Sequence, residues 1–150
     1  MRALALLAPL LVLTACSQGE EPAPAPEAAE AAAILGDVNL NEPLRALGTE
    51  PFWAVNIDEA GLVYSGVDRP EERAPNDGPQ LAGTTAMWSG QTDQGRAISV
   101  TVIETACSDG MSDRIYPLTA RVEIGEEVLN GCAASVDFLM NTDERGEPRA

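Results

Sequence analysis

Apolar and polar side chains alternate in short stretches through most of the chain, which is the pattern of β-strands with one buried face. In residues 96–104, Ile98, Val100 and Val102 share one face. The other stretches with strand character are 52–57, 62–65, 81–88, 118–124, 127–132 and 134–140. About six or seven short strands separated by turn residues predict an all-β domain at residues 44–141, either a small antiparallel barrel or a sandwich.

The regions between and beyond these strands carry turn and loop signals. Residues 68–79 contain three prolines and many charged residues, which predicts an exposed and mobile loop. Residues 142–150 are predicted to be a polar tail. No segment inside the domain has the period of a helix.

The first fifteen residues have the composition of a signal peptide. One charge, Arg2, precedes an apolar run at 3–13 that is too short to span a bilayer. Residues 13–16, Leu-Thr-Ala-Cys, resemble the lipobox of bacterial lipoproteins. This resemblance implies cleavage before Cys16, acylation of its thiol, and a bacterial cell-envelope location. The alternative is an ordinary cleaved signal followed by an unmodified cysteine.

The residue after Cys16 refines the expected location. In the enteric pattern, an aspartate there favours retention in the inner membrane. Ser17 occupies this position, which favours the outer membrane, with the domain facing the periplasm.

A linker is predicted between the lipid anchor and the domain, at residues 16–43. Its first half consists mainly of Glu, Ala and Pro, which favours an extended, disordered tether. A short helix at 27–35, ended by Gly36, is the alternative for its second half.

The charge of the chain limits its partners. The 150 residues carry a formal net charge of −15. Loss of Arg2 with the leader leaves 8 Arg against 24 Asp and Glu, or −16. Such a charge disfavours nucleic acid and anionic lipid headgroups and permits a basic protein of the envelope or of a host. Solubility alone is the alternative reason for the charge.

Catalytic chemistry is restricted because the chain contains no His and no Lys; its nine basic residues are all Arg. An imidazole or amine base, a Ser-His-Asp triad and a Ser-Lys pair are therefore excluded from a single chain. We expect a protein that is not an enzyme and that holds no cofactor and no metal.

Cys107 and Cys132 are the only cysteines of the predicted domain. In an exported protein such a pair is usually oxidised, so we expect a disulfide between them. The alternative is two free buried thiols. The bond would cross-link the two ends of a segment made of a polar loop, a strand, a turn and a return strand.

The loop after Cys107 is the best candidate for a binding site. Its candidate residues are Asp109, Met111, Asp113, Arg114 and Tyr116. Two carboxylates and a hydroxyl are ligands that suit Ca²⁺, but the spacing of a calcium loop is absent. The structural alternative is a turn at Asp109, with Asp113 bonded to backbone N–H groups or paired with Arg114 and with Tyr116 packed by its ring.

Trp53 is a further candidate, next to Phe52. Neighbouring residues of a strand point to opposite faces, so one of the two rings should be less buried than the other in a two-layered fold. The alternative is a barrel wall that is covered on both sides. An exposed ring is suited to stacking on a sugar, whereas a buried tryptophan belongs to the core.

Three sequence blocks together resemble a family of uncharacterised bacterial envelope lipoproteins and membrane-associated proteins. They are Gly-Thr-Glu-Pro-Phe-Trp at 48–53, Cys-Ser-Asp-Gly-Met-Ser-Asp-Arg at 107–114 with Tyr-Pro at 116–117, and Gly-Cys-Ala at 131–133. The resemblance covers about residues 44–133. It implies an envelope location and no particular activity.

The chain is also similar in architecture to the membrane-bound inhibitors of c-type lysozyme, which are small periplasmic β-barrel lipoproteins with a disulfide. In that family a loop bearing Ser and Lys enters the lysozyme cleft. Because this chain has no Lys, the likeness implies only the architecture and a cationic target.

The sequence therefore predicts a membrane-anchored periplasmic lipoprotein whose domain is a non-enzymatic binding or inhibitor module. The alternative is a structural or assembly lipoprotein of the envelope with no discrete ligand.

Overall fold

The structure is a computed structural model that describes residues 33–149. The predicted signal peptide, the predicted lipidation at Cys16 and residues 16–32 of the predicted linker lie outside the described residues. Among residues 33–149, no helix is both long enough and apolar enough to cross a bilayer.

The described chain is built from short strands and one short helix. The elements are β1 (Ile34–Leu35), β2 (Val38–Asn39), β3 (Leu44–Thr49), β4 (Phe52–Asp58), β5 (Gly61–Gly66), β6 (Glu72–Ala74), β7 (Gln80–Ala82), β8 (Thr85–Gln91), β9 (Ala97–Ile103), β10 (Cys107–Ser108), β11 (Ile115–Tyr116), β12 (Leu118–Ile124), β13 (Glu127–Ser135) and α1 (Val136–Asn141).

Nine of these strands form one antiparallel sheet in the order β6-β5-β4-β3-β13-β12-β9-β8-β7. The predicted all-β class is confirmed, but the predicted count of six or seven strands was too low. Strand β6 lies inside the predicted loop at 68–79, and β3 precedes the first predicted strand. The predicted strand at 81–88 is divided by a turn at Gly83, whose φ of +59° suits glycine.

The sheet curls into a half-barrel, and the chain itself joins its two edges. Strands β6 and β7 are at opposite edges of the sheet, yet only residues 75–79 separate them in the sequence. The backbone N–H of Asp93 donates to the carbonyl of Arg73 at 2.8 Å, and the N–H of Arg73 donates to Oδ1 of Asp93 at 3.2 Å. These bonds hold β6 beside the turn between β8 and β9.

The inner face of the curled sheet carries the main core. Its largest fully buried side chains are those of Trp88, Tyr64, Leu44, Leu62, Leu118, Ile124, Val55, Val100, Val102 and Val122. Trp53, Val55 and Ile57, which alternate along β4, are all buried in this core. Burial of one such aliphatic side chain contributes about 1.5–3 kcal/mol.

The folded part of the chain begins before residue 44, contrary to the predicted linker boundary. Leu35, Val38 and Leu40 are buried in the main core, and Leu40 N–H donates to the carbonyl of Ala33 at 2.7 Å. Ile34 and Leu35 are in a strand, which excludes the alternative helix from those two residues. This segment folds because its three apolar side chains are spaced so that the β1–β2 hairpin directs all of them into the core.

The predicted last strand at 134–140 is also corrected. Strand β13 ends at Ser135, whose side chain accepts a hydrogen bond from Phe138 N–H and so caps helix α1. The predicted polar tail follows the helix and is ordered by local bonds. Thr142 forms a bridge with Pro148, and Arg149 N–H donates to the carbonyl of Asn141 at 2.8 Å.

Candidate functional site

A two-stranded ribbon, β10 and β11, covers part of the outer face of the sheet. In β13, Ala133 belongs to the main core, whereas Cys132 and Ala134 face the other way and belong to a second, smaller core. Tyr116 of the ribbon completes that smaller core, with Leu47, Cys107, Phe138 and Leu139 packed around it. The ribbon therefore forms an outer layer on β3 and β13.

The predicted disulfide is present in the structure. Cys107 and Cys132 are bonded, with their Cα atoms 5.5 Å apart. The bond attaches the ribbon to β13. The loop at 109–114, which connects the two strands of the ribbon, contains four of the candidate residues.

Asp109 organises this loop. Its Oδ1 accepts hydrogen bonds from the N–H groups of Met111 and Ser112 at 2.9 and 2.8 Å. Its Oδ2 accepts from the hydroxyls of Ser112 and Tyr116, each at 2.9 Å. Burial alone would raise the pKa of Asp109, but these four bonds outweigh it and hold the pKa below its ordinary value. Because the carboxylate is already saturated by internal donors, the turn interpretation fits it better than a cation ligand does.

Arg114 and Asp113 do not pair with each other. Arg114 donates through Nε to the Asp143 carbonyl at 3.0 Å and through Nη2 to the Thr142 carbonyl at 2.9 Å. Its guanidinium also lies 5.8 Å from the centre of the Tyr116 ring. Asp113 is exposed. Arg114 therefore ties the C-terminal segment to the loop, which the sequence did not indicate.

No group of three or more potential metal ligands of the Asp, Glu or Cys type occurs within residues 33–149.

Trp53 is a core residue rather than a surface platform. It is 4% exposed and lies against two glycines of neighbouring strands. A Cβ built at Gly48 would overlap its Nε1, and one built at Gly131 would be 3.0 Å from its Cζ2. The expectation that one ring of the pair is less buried is confirmed, because Phe52 is 55% exposed.

The three sequence blocks meet at this point of the fold. The hydroxyl of Thr49 donates to the carbonyl of Asp109 at 3.0 Å, which joins the first block to the second. The third block contributes Gly131 beneath Trp53 and Cys132 to the disulfide. Much of the sequence in these blocks therefore serves mutual packing.

Two grooves border residues 47–49. One, of about 450 Å³, lies between these residues and the loop, with Asp109 and Met111 in its wall. The other, of about 410 Å³, continues past Phe52 to Val67 and has Arg45 in its wall. Phe52, Val67 and Met111 are large apolar side chains with exposures of 55%, 55% and 68%. We call these three side chains and the two grooves the loop face.

A second polar cluster was missed by the sequence interpretation. Glu72 is buried, and both of its oxygens accept hydrogen bonds from Arg96, one of them from Nε at 3.1 Å. Thr92 donates to the same carboxylate at 2.8 Å. Arg96 and Arg69 also contact Glu127 on the hairpin between β12 and β13.

This cluster stabilises charged carboxylates. Hydrogen bonds from Arg96 hold the pKa of Glu72 below its ordinary value despite its burial. Arg69 has the same effect on the pKa of Glu127. Glu72 and Arg96 connect edge strand β6 to the β8–β9 hairpin. The sequence carried no local signal for this pairing, because residues 68–79 have the composition of a loop and Arg96 is 24 residues from Glu72.

Comparison of the chain with models of protein families, with curated proteins and with solved structures finds no match.

Proposed function

We propose that the chain is a bacterial envelope lipoprotein, anchored through Cys16, whose domain binds a basic protein through the loop face without catalysing a reaction. The observation that carries the proposal is the exposure of Phe52, Val67 and Met111 around two grooves that share residues 47–49. Contiguous exposed apolar groups with a polar surround are typical of protein interaction sites.

The charge of the chain indicates the kind of partner. At a formal charge of −15, long-range attraction favours a cationic surface and accelerates its approach. Exposed acids flank the apolar side chains at Glu50, Asp68 and Asp113. A basic envelope protein or a host lysozyme has the required chemistry.

The leader and the disulfide support the proposed location. The lipobox-like sequence ends at Cys16, and a disulfide is typical of proteins in oxidising compartments. The orientation toward the periplasm from the outer membrane rests on Ser17 alone.

The test is photo-cross-linking in living cells. A photoreactive residue at Phe52 or Met111 should capture the same protein, and capture should weaken in high salt because ionic contacts are screened. Leu81, which is 49% exposed on edge strand β7, is the matched control position. Equal capture at Leu81, or no capture at Phe52 and Met111 in low salt, would exclude the loop face as the binding site. Inhibition of c-type lysozyme by the purified domain tests that target directly.

A second function, a structural lipoprotein without a discrete ligand, is favoured by a different observation. Asp109, Trp53, Gly48 and Gly131 are all engaged in internal contacts. On this hypothesis, cells lacking the protein show an envelope defect that a variant with both Phe52→Ala and Met111→Ala repairs fully. Failure of that variant to repair the defect would favour the binding function.

A further inference from the structure

The ribbon and its loop, residues 107–116, are attached to the rest of the domain in an unusual way. We call these residues the cap. Strand β10 pairs only with β11, and among residues 33–149 no backbone hydrogen bond joins the cap to the nine-stranded sheet. The cap therefore lacks the hydrogen-bond ladder that holds every strand of the sheet.

Four other contacts hold the cap in place. Tyr116 is buried in the smaller core, and the Thr49 hydroxyl donates to the Asp109 carbonyl at 3.0 Å. Arg114 donates to the carbonyls of Thr142 and Asp143, and the disulfide joins Cys107 to Cys132. Only the disulfide is covalent. Since the two bonded residues are 25 positions apart, the bond removes much of the freedom that the segment would otherwise have.

The main core does not depend on the cap. The buried residues of that core come from the inner face of the sheet and from β1, β2 and Leu40, and none lies between 107 and 116. Release of the cap would uncover the smaller core on the outer face and leave the main core closed.

We propose that the Cys107–Cys132 disulfide is a redox-controlled joint: oxidised, it holds the cap on the sheet, and reduction releases the cap while the half-barrel stays folded. The reductant is a dithiol of the thiol–disulfide oxidoreductase type or a small-molecule equivalent. This inference goes beyond the proposed function and requires no partner.

The exchange has a preferred direction. Cys107 is partly exposed and Cys132 is 0% exposed, so the thiolate of the reductant attacks Sγ of Cys107. The S–S bond breaks, its electron pair goes to Sγ of Cys132, and that sulfur takes a proton. The second thiol of the reductant then attacks the mixed disulfide and releases Cys107 as a thiol. Two electrons and two protons pass to the protein, and the reductant becomes a disulfide.

The burial of Cys132 makes this joint slow to open by itself. The departing sulfur is an anion among apolar side chains, including Ala134 and Leu139, where a charge is poorly solvated. Reduction therefore proceeds through transient lifting of the cap. Because Asp109 and Met111 belong to the cap, the groove of about 450 Å³ exists in full only in the oxidised state.

Hydrogen exchange measured by mass spectrometry on the full chain tests the proposal. The protein is reduced with dithiothreitol without denaturant, and alkylation of peptides containing Cys107 and Cys132 confirms reduction. We expect exchange in residues 107–116 to accelerate about a hundredfold, which is the order of the constraint removed. Exchange in β9 and β12, which belong to the sheet, should change less than about twofold.

Two variants make the outcome decisive. A double variant, Cys107→Ser with Cys132→Ser, should reproduce the exchange pattern of the reduced protein. Thr49→Val removes a hydrogen bond to the cap and keeps the disulfide, and should accelerate exchange there less than about tenfold. Acceleration in all strands together, no acceleration in the cap, or a disulfide that resists dithiothreitol in the folded protein would each overturn the proposal.

Discussion

Gly48 and Trp53 are paired directly across strands β3 and β4, and the indole of Trp53 occupies the space that a side chain at Gly48 would need. A Cβ there would be 2.7 Å from Cε2 of the indole and 2.9 Å from the carbonyl oxygen of Asn130. Both distances are shorter than a carbon atom tolerates. The glycine is thus required by the size of its neighbour.

Gly48→Ala should consequently destabilise the domain. Overpacking of this kind costs about 1–3 kcal/mol, because the indole or the strand must move. The melting temperature should fall by roughly 4–12 °C for a domain of this size. Gly90→Ala is the matched control, since its Cβ would lie 3.6 Å from the nearest atom, and its melting temperature should change little. Equal effects of the two substitutions would contradict the packing described for Trp53.

Glu72→Gln should weaken the connection between β6 and the β8–β9 hairpin. Loss of the buried charge leaves Arg96 only its 3.4 Å contact with Glu127. Removal of one partner costs about 3–5 kcal/mol in a fully buried pair. Since the Arg96 side chain is 29% exposed, we expect about 2–3 kcal/mol in urea unfolding. Glu71→Gln, at an exposed neighbouring carboxylate, should change stability by less than about 0.5 kcal/mol. A loss at Glu71 as large as that at Glu72 would be incompatible with the pairing.

Stability should fall in acid because the folded-state pKa values of Glu72, Glu127 and Asp109 are lowered. A lowered pKa in the folded state means that, as the pH falls, the unfolded chain binds protons at a higher pH than the folded chain does. The contribution is therefore complete above the ordinary glutamate value of 4.5 and is lost as the pH falls through the lowered values. Urea unfolding between pH 7 and pH 3 measures this slope. Glu72→Gln should flatten it, and an unchanged slope in that variant would argue against the assignment.

The two aspartates of the loop should respond differently to substitution. Asp109→Ala removes the acceptor of four hydrogen bonds, of which two come from backbone N–H groups. We expect a loss of about 1–3 kcal/mol in the free energy of unfolding. Asp113→Ala, at an exposed side chain, should be nearly neutral for stability. Any effect of Asp113→Ala on capture of a partner would then report binding, whereas a matching loss of stability would not.

Lipidation is predicted at Cys16 and should be detectable by metabolic labelling with a fatty-acid analogue. Cys16→Ser should abolish the label and release the protein from the membrane fraction, because the acyl chains supply the anchoring free energy. Cys107→Ser is the matched control and should retain the label. Label that persists in the Cys16 variant would disprove acylation at that residue.

Period-two alternation was sufficient to predict most of the sheet. Residues such as Val55 and Val100 are buried because every second side chain of a strand faces the core, so the sequence records the burial directly. Strand β6 escaped prediction because it is three residues long and its inward residues include a charge, Glu72. The partner that makes this burial tolerable, Arg96, is 24 residues away and has no local signal.

Helix α1 was missed for a reason of length. Six residues are too few to display a helical period, and their apolar content equally suits a strand. The available signal was the helix N-cap residue, Ser135, followed by Asp137 in the first turn of the helix.

In the candidate site too, the features that depend on local sequence could be predicted, whereas the contacts between distant residues could not. The turn at Asp109 and the pairing of the two domain cysteines follow from local sequence and from the cysteine count. The use of Arg114 to hold carbonyl groups 28 and 29 residues away requires the folded chain.

The five residues between Ala74 and Gln80 connect the two outermost strands of the sheet. This connection bears on whether separate copies of the protein aggregate. A sheet with long open margins can template the addition of strands from other copies, which leads to fibres and precipitates. Here both margins are only three residues long, and the connector is bounded by Pro75 and Pro79, which lack the N–H group that such templating needs. The chain that completes the half-barrel thus also shields it from its own copies.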